Sequence, residues 1–175
     1  RAWRTLIAVP RFQLSSARLL LRDFDDDDAA RVFEYQSSPA YLEHYDDAVP
    51  TRDAVRSLVA LFRRWAEELP RRNYQLAITL DSYLIGTCGI RQPAGETAEF
   101  GCELDPRFWR HGYAHEASAT LLAFARQELQ LERVIARTLP ANRAAIRLAE
   151  TLGFEDAGGG LLMLEADRAS ARREL

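Results

Sequence analysis

Three strand-like segments follow one another in the middle of the chain and lead into a helix, a strand and a second helix. The segments 74–80, 84–91 and 96–105 are largely apolar and are separated by short turns, a pattern that predicts an antiparallel meander. A helical pattern over 112–128 and a strand over 134–139 extend the meander by a β-α-β unit. This order predicts a mixed sheet flanked by helices, of the α+β class. Because no G-x-G-x-x-G follows the first strand, a dinucleotide-binding Rossmann domain is not indicated.

The flanking segments complete the expected order of elements. Residues 12–22 end in an apolar run and predict one strand. The four aspartates at 25–28 are expected to cap and start a helix, because acidic residues complement its N-terminal dipole; they lack the spacing of a calcium loop. The helix expected over 51–68 begins at a threonine that can cap it. A helix over 142–152 and a strand pair from Phe154 then give the order β-α-α-β-β-β-α-β-α-β-β.

Length and composition predict one domain over 1–175. The chain has 175 residues, of which 47% are hydrophobic and 28% charged, enough to bury a core without disulfides or metal. No apolar run approaches the ~20 residues that span a bilayer, and residues 1–10 lack the features of a secretion signal. We therefore expect a cytoplasmic protein with no membrane partner, whose polar end over 168–175 frays.

The charged residues and cysteines argue against other classes. There are 23 basic residues, all arginine, and 26 acidic ones, with no basic tract, so a nucleic-acid partner is not expected. Cys88 and Cys102 have no metal-ligand spacing and are too few for a disulfide framework. His111 and His115 are four residues apart, but Gly112 places the first of them at a turn and no third ligand is apparent, so no metal site is predicted.

The stretch from Glu99 to Ala117 carries the chemistry. It predicts a strand, a bend at Pro106, a turn at Gly112 and the start of a helix. Backbone N–H groups at such a turn and at a free helix N-terminus form an anion cradle suited to a pyrophosphate, although an ordinary loop-to-helix junction has the same local pattern. The residues that add positive charge there are Arg107, Arg110 and His111.

The segment 109–117 resembles the acetyl-CoA-binding motif of the GNAT acetyltransferases. Its tryptophan, followed by Gly-Tyr-Ala and Glu-Ala, is similar to the RimJ/RimL branch, the ribosomal-protein N-terminal acetyltransferases and their relatives. The segments 17–22, 84–89 and 140–154 resemble the opening strand, third strand and second motif of that branch. The resemblance covers about 12–154 and implies the GNAT acyl-CoA N-acyltransferase fold, with acetyl-CoA as co-substrate.

In this family two central parallel strands splay apart and the pantetheine arm lies between them. The resemblance assigns that opening to 99–104 and 134–138 of this chain. Asn142 corresponds to the family asparagine near the pantetheine, and it can cap the last helix at the same time. The cofactor-binding residues that the resemblance implies are Cys102, Leu104, Phe108, Trp109, Arg110, His111, Gly112, Tyr113, Ala114, His115, Asn142 and Arg147.

The expected reaction is direct attack of an amine on the acetyl thioester. The amine must be neutral, which at pH 7 costs about 1 kcal/mol for an α-amine and about 4.6 kcal/mol for a lysine-like amine, so a general base is useful. Glu99 is the first candidate for the base and Glu103 the second, and an exposed polar role stays open for either. The hydroxyl that relatives carry at the positions of Ala145 or Ala149 is missing, which leaves Tyr113 or water to protonate the thiolate.

The acceptor expected first is a protein N-terminal α-amine. A small-molecule amine (antibiotic, polyamine or amino acid) comes second, and a non-catalytic acyl-CoA-binding module is the alternative function. The loop 41–47 is expected to supply one acceptor wall, and its acidic residues suit a cationic amine, although a solvated loop is as plausible. The short segment 154–161 leaves the acceptor groove open or completed by a second subunit, as in a homodimer.

Overall fold

The strands form one sheet in the described part of the chain. A computed structural model describes residues 11–45, 49–129 and 131–165. The eight strands are β1 Gln13–Ser15, β2 Leu20–Arg22, β3 Asn73–Leu80, β4 Tyr83–Ala94, β5 Thr97–Leu104, β6 Arg133–Arg137, β7 Glu155–Gly158 and β8 Leu161–Glu165. Their order across the sheet is β1-β2-β3-β4-β5-β6-β8-β7. Only β5 and β6 pair in parallel among these strands, which confirms the mixed sheet of the α+β class.

Helices cover both faces of the sheet. They are α1 Asp28–Gln36, α2 Pro39–Leu42, α3 Arg52–Ala66, α4 Tyr113–Glu128 and α5 Arg143–Thr151, with a short 3-10 turn at Pro106–Phe108. Apolar residues of α4 and α5 pack on one face in a large core cluster, whereas α1, α2 and α3 contribute to a second cluster on the other face. The site described below lies at an opening of the sheet, between β5 and β6.

The first predicted strand, 12–22, is wrong as a single element. The chain turns back on itself, and β1 pairs with β2 antiparallel. Ser16 makes this turn: its backbone N–H donates to the carbonyl of Leu19 at 2.9 Å, and its hydroxyl accepts from the N–H of Leu19 at 3.1 Å. A serine that bonds to the backbone three residues on competes with an extended strand, and this turn divides the apolar pattern.

The aspartates start α1 as expected, with Asp28 in its first turn, but the expected side-chain cap is missing. Asp27 occupies the cap position without a side-chain cap hydrogen bond. The carboxylate of Asp28, the first residue of α1, accepts from the N–H of Asp25 at 2.7 Å and from the guanidinium of Arg22 at 2.8 Å. The predicted cap of the next long helix is confirmed, because Oγ1 of Thr51 accepts from the third residue on at 3.1 Å.

The sheet opens between β5 and β6. The two strands pair from Thr97 to Phe100 of β5. Beyond Phe100, β5 continues to Leu104 while it pairs with β4 alone among the described strands. The unpaired edge of β5 therefore faces a gap that the side chains and backbone of the site surround.

Two further expectations fall on residues outside the described ranges. The tail predicted to fray, 168–175, lies outside the described residues, as do Asp46 and Asp47 of the predicted acceptor wall. Within the described helices, none is long and apolar enough to cross a membrane.

Candidate active site

Two cavities meet at the opening of the sheet. One, of about 450 Å³, extends toward the turn before α4. The other, of about 680 Å³, extends toward α3 and the chain that follows β6. They share a wall, so a molecule in one can contact a molecule in the other. The residues that line both are His44, Tyr45, Cys102, Glu103, Asn142, Ala145 and Leu148.

Most of the predicted cofactor residues line the smaller cavity. They come from the end of β5, the turn that follows it, the first turn of α4 and the start of α5. His111 and Arg147 are not among its lining residues. The predicted residues that do line it are Cys102, Leu104, Phe108, Trp109, Arg110, Gly112, Tyr113, Ala114, His115 and Asn142.

The turn before α4 has the backbone of an anion cradle. Gly112 caps the helix with φ +80°, and Arg110 also lies at positive φ, +63°. Without a side chain, Gly112 cannot cap the first-turn amides of α4, so these donors are left to water or to a ligand. A helix N-terminus with free N–H groups attracts phosphate, and this one opens onto the smaller cavity.

Arg18 and Glu116 hold this turn in place. The carboxylate of Glu116 accepts from the hydroxyl of Ser16 and from the backbone N–H and Nε of Arg18, each at 2.7 Å. Arg18 also donates to the carbonyl of His111 at 3.1 Å and lies 4.5 Å from the centre of the Tyr113 ring. Burial raises the pKa of Glu116, but the bonds from Ser16 and Arg18 outweigh burial and hold it below its usual range.

The start of α5 forms the wall between the cavities. Oδ1 of Asn142 accepts from the N–H of Ala145 at 3.1 Å, so this residue caps the helix and lines both cavities together. Ala145 lines both cavities and Ala149 lines the larger one. A hydroxyl at either position would therefore face the site. Burial raises the pKa of the Cys102 thiol to about 12, and the charge of Glu103 adds to this effect, so the thiol is protonated at neutral pH.

Glu103 is held by three donors at the shared wall. Tyr35 donates its hydroxyl to Oε1 at 2.7 Å, Gln36 donates its amide to Oε1 at 2.8 Å, and Tyr41 donates to Oε2. A carboxylate has about four acceptor positions, so one remains for an amine or a water. The three bonds fix the orientation of the carboxylate in the opening beyond Phe100.

The tyrosines around Glu103 are hydrogen-bond donors. Burial, and then the negative charge of Glu103, raise the pKa of Tyr35, of Tyr41 and of Tyr45. All three phenols are therefore protonated at neutral pH. Tyr45 stacks on Tyr41 with the ring centres 4.2 Å apart, and it lines both cavities.

Glu99 lies elsewhere on the same strand. It pairs with Ile135 inside the parallel stretch of β5 and β6 and is not among the lining residues of either cavity. Glu99 and Glu103 share a face of β5, but only Glu103 lies beyond the last paired residue. Of the other catalytic candidates, Tyr113 lines the smaller cavity.

Sequence reasoning missed the residues that hold Glu103. Tyr35 and Gln36 end α1 and Tyr41 lies in α2, and their distance from β5 along the chain gives no motif. The available signal is composition: tyrosines recur at 35, 41 and 45, and the first of them, Tyr35, lies on the buried side of α1.

Comparison with known proteins identifies the family. Residues 18–155 match the family model described as the acetyltransferase (GNAT) domain. This chain belongs to the GNAT acetyltransferase family. It is an acetyl-CoA-dependent N-acetyltransferase, as the resemblance of segment 109–117 predicted.

One curated relative and two solved structures illustrate the similarity. The uncharacterized N-acetyltransferase p20 of Bacillus licheniformis is 28% identical over 163 residues, covering 91% of this chain and 89% of that protein. A RimL ribosomal L7/L12 α-N-protein acetyltransferase, solved with coenzyme A, has a TM-score of 0.73 at 17% identity over 89% of this chain and 99% of its own. Spermidine N-acetyltransferase from Vibrio cholerae, solved with coenzyme A and spermine, has a TM-score of 0.72 at 15% identity over 86% and 96%. These similarities confirm the GNAT fold.

Proposed function

We propose that this GNAT protein acetylates a primary amine with Glu103 as the group that accepts the amine proton. The observation that carries this proposal is the position of Glu103, which lies in the opening of the sheet and lines both cavities. Its carboxylate is oriented by three donors and retains one free acceptor position. Glu99, the candidate placed first from the sequence, lies in the paired stretch instead.

The smaller cavity suits the pyrophosphate and pantetheine parts of a coenzyme A molecule. The free amides at the start of α4 and the positive φ of Gly112 suit a pyrophosphate, and the unpaired edge of β5 offers backbone groups to the amides of a pantetheine arm. When bound, acetyl-CoA supplies a thioester that a neutral amine can attack. The chain's part is to orient the amine, to take its proton and to keep the loop at the phosphate in place.

The proton of the amine goes to Glu103, directly or through one water. Removing it costs about 1 kcal/mol at pH 7 for an α-amine and about 4.6 kcal/mol for a lysine-like amine, so the carboxylate matters more for the second class. The leaving thiolate, with a pKa near 8.5, needs only about 2 kcal/mol of help at pH 7. Tyr113, Tyr45 or water supplies its proton, since both phenols line the smaller cavity.

The acceptor we place first is a protein N-terminal α-amine, in a RimJ/RimL-type role. The low cost of deprotonating an α-amine and the structural similarity to the α-N-protein acetyltransferase support this choice. A small-molecule amine is the second candidate, favoured by the 680 Å³ cavity with its polar side chains and by similarity to the spermidine enzyme.

Thiol release from acetyl-CoA against an acceptor panel tests the proposal. The panel contains N-terminal peptides, lysine peptides with blocked termini, polyamines and aminoglycosides, with a control that lacks acceptor. Because the chain has no lysine, background self-acetylation is confined to its own N-terminus. Release above the control with N-terminal peptides is the expected result. Coenzyme A binding without release for every acceptor would contradict the proposal and favour the non-catalytic module.

A further inference from the structure

A pair of facing glycines lies beside the larger cavity, and Gly101 of this pair lines it. Gly89 of β4 and Gly101 of β5 lie opposite each other in the antiparallel register. Two side chains occupy the space above them. A Cβ on Gly89 would come within 2.1 Å of Oε1 of Gln75, and one on Gly101 would lie 3.4 Å from Nη2 of Arg91. The guanidinium of Arg91 therefore lies over Gly101.

The guanidinium of Arg91 does not pair with the residue opposite it on β5. Its partner in the register is Glu99, yet no ion pair joins the two within the described residues. The guanidinium reaches toward Gly101 instead, which is two residues further along β5 in the direction of Glu103. Arg91 lines the larger cavity and Glu99 does not.

A short network fixes the arginine at this position. Gln75 is buried and donates through Nε2 to Oγ1 of Thr87 at 2.7 Å. The hydroxyl of Thr87 donates in turn to the carbonyl of Leu76 at 2.8 Å. These bonds leave Oε1 of Gln75 to accept from Nη1 of Arg91 at 3.4 Å. Arg91 has five N–H donors, so most of them remain for a ligand.

Arg91 differs from the other half-buried arginines of the described ranges. Each of those has a carboxylate within ion-pair distance, whereas Arg91 has none there. The paired arginines and their partners are Arg22 with Asp28, Arg31 with Asp105, Arg63 with Asp26, and Arg71 with Asp23. A partly buried guanidinium aimed into a cavity without a fixed counter-ion is suited to bind an anion from outside.

We propose that Arg91 binds a carboxylate of the acceptor, so that the preferred substrate is an amine that also carries an acidic group. The inference rests on the proposed function, because it places the amine at Glu103. Gly101 and Glu103 lie two residues apart on one face of β5, roughly 7 Å along the strand. One hydrogen bond of about 3 Å at each end fits an amine and a carboxylate separated by a few bonds. Free amino acids have this chemistry, and so do N-terminal peptides with an acidic second residue.

Matched acceptors with and without the carboxylate test this inference. One arm compares glycine with glycinamide, and the other compares peptide amides that differ only in aspartate or asparagine at the second position. We measure kcat/KM for wild type, Arg91→Gln, Arg91→Lys and the control Arg126→Gln, an exposed arginine on α4 outside both cavities. Wild type and the control should prefer the carboxylate member of at least one pair about tenfold. Arg91→Gln should abolish the preference, and Arg91→Lys should restore part of it.

The outcomes separate this inference from the proposed function. Turnover of amines with no preference for the carboxylate member, or a preference that survives Arg91→Gln, overturns the inference and leaves the acetyltransferase proposal standing. A preference lost in Arg137→Gln but kept in Arg91→Gln also overturns it, because Arg137 is the exposed arginine of the same cavity. Calorimetric titration of glycine and glycinamide into the coenzyme A complex gives a readout without turnover. Tighter binding of glycine that Arg91→Gln removes supports the inference even if every acceptor fails to react.

Discussion

The turn before α4 and the carboxylate of Glu103 lie on one cavity but are built in different ways. The turn is made by backbone: positive φ at Arg110 and Gly112, and free amides at a helix start. The residues of this turn are neighbours in the sequence. Arg18, which is distant in the sequence, holds the turn through hydrogen bonds to Glu116 and His111. The carboxylate is held by side chains that are 62 to 68 residues away along the chain.

This difference implies a division of labour. Backbone amides can bind a phosphate whatever the acceptor is, so in the proposed function the turn serves acetyl-CoA alone. In the proposed function the side chains around Glu103 and Arg91 bind the acceptor, and they come from α1, α2, β3 and β4. Substitutions in the first region should therefore change the affinity for acetyl-CoA, and those in the second should change turnover or acceptor choice.

The largest effect is expected for Glu103→Gln. Loss of the proton acceptor should lower kcat about 100- to 1000-fold, while KM for acetyl-CoA changes by no more than about twofold. Steady-state kinetics with the best acceptor of the panel measures both. Glu99→Gln is the matched control, on the same strand and face but inside the paired stretch. Equal losses of kcat in the two variants would remove the distinction between them.

A smaller effect is expected for Tyr41→Phe. The variant removes one of the three donors to Glu103, and a hydrogen bond to a charged group contributes about 1.5–3 kcal/mol. We expect kcat to fall about tenfold with the affinity for acetyl-CoA unchanged. Tyr74→Phe is the control, because that ring packs against Phe12 and Phe124 away from both cavities. A wild-type kcat in Tyr41→Phe would mean that the orientation of the carboxylate does not matter.

The variant Gly112→Ala tests the turn before α4. Alanine at φ +80° is strained by about 1 kcal/mol. The free protein can relieve this strain by leaving the turn conformation, and binding must restore it, so KM for acetyl-CoA should rise about fivefold while kcat at saturation stays the same. Gly158→Ala is the control, since Gly158 has φ +88° and open space around it but is the last residue of β7 and lines neither cavity. A fall in kcat of Gly112→Ala without a change in KM would contradict the assignment of this turn to cofactor binding.

The smallest effect concerns pH and the support of the turn. The pKa of Glu116 is lower in the folded protein than its ordinary value near 4.3. The stabilisation it provides is therefore full above that ordinary value, and it is lost as pH falls through the folded pKa. Melting temperatures between pH 7 and pH 3 should show wild type more stable than Glu116→Gln at neutral pH, with the gap closing below about pH 4. A gap that is constant with pH would mean that the charge of Glu116 does not contribute.

The local features of the fold and site could be predicted from the sequence. The cap at Thr51, the turn at Gly112 and the cavity residues from Cys102 to His115 depend on neighbours along the chain, and motifs record them. The turn at Ser16 was missed because a side-chain hydrogen bond to Leu19 interrupts an otherwise strand-like pattern. The choice between Glu99 and Glu103 could not be made, because it depends on where pairing between β5 and β6 stops. The partners of Glu103 and the placement of Arg91 result from tertiary packing of distant segments.

Titration calorimetry of coenzyme A with wild type, Glu103→Gln and Gly112→Ala tests the separation of the two regions most directly. It measures cofactor affinity without an acceptor and without turnover. We expect Glu103→Gln to bind coenzyme A within about twofold of wild type and Gly112→Ala to bind it about fivefold more weakly. If Glu103→Gln loses as much affinity as Gly112→Ala, the carboxylate belongs to the cofactor site and the separation of the two regions is wrong.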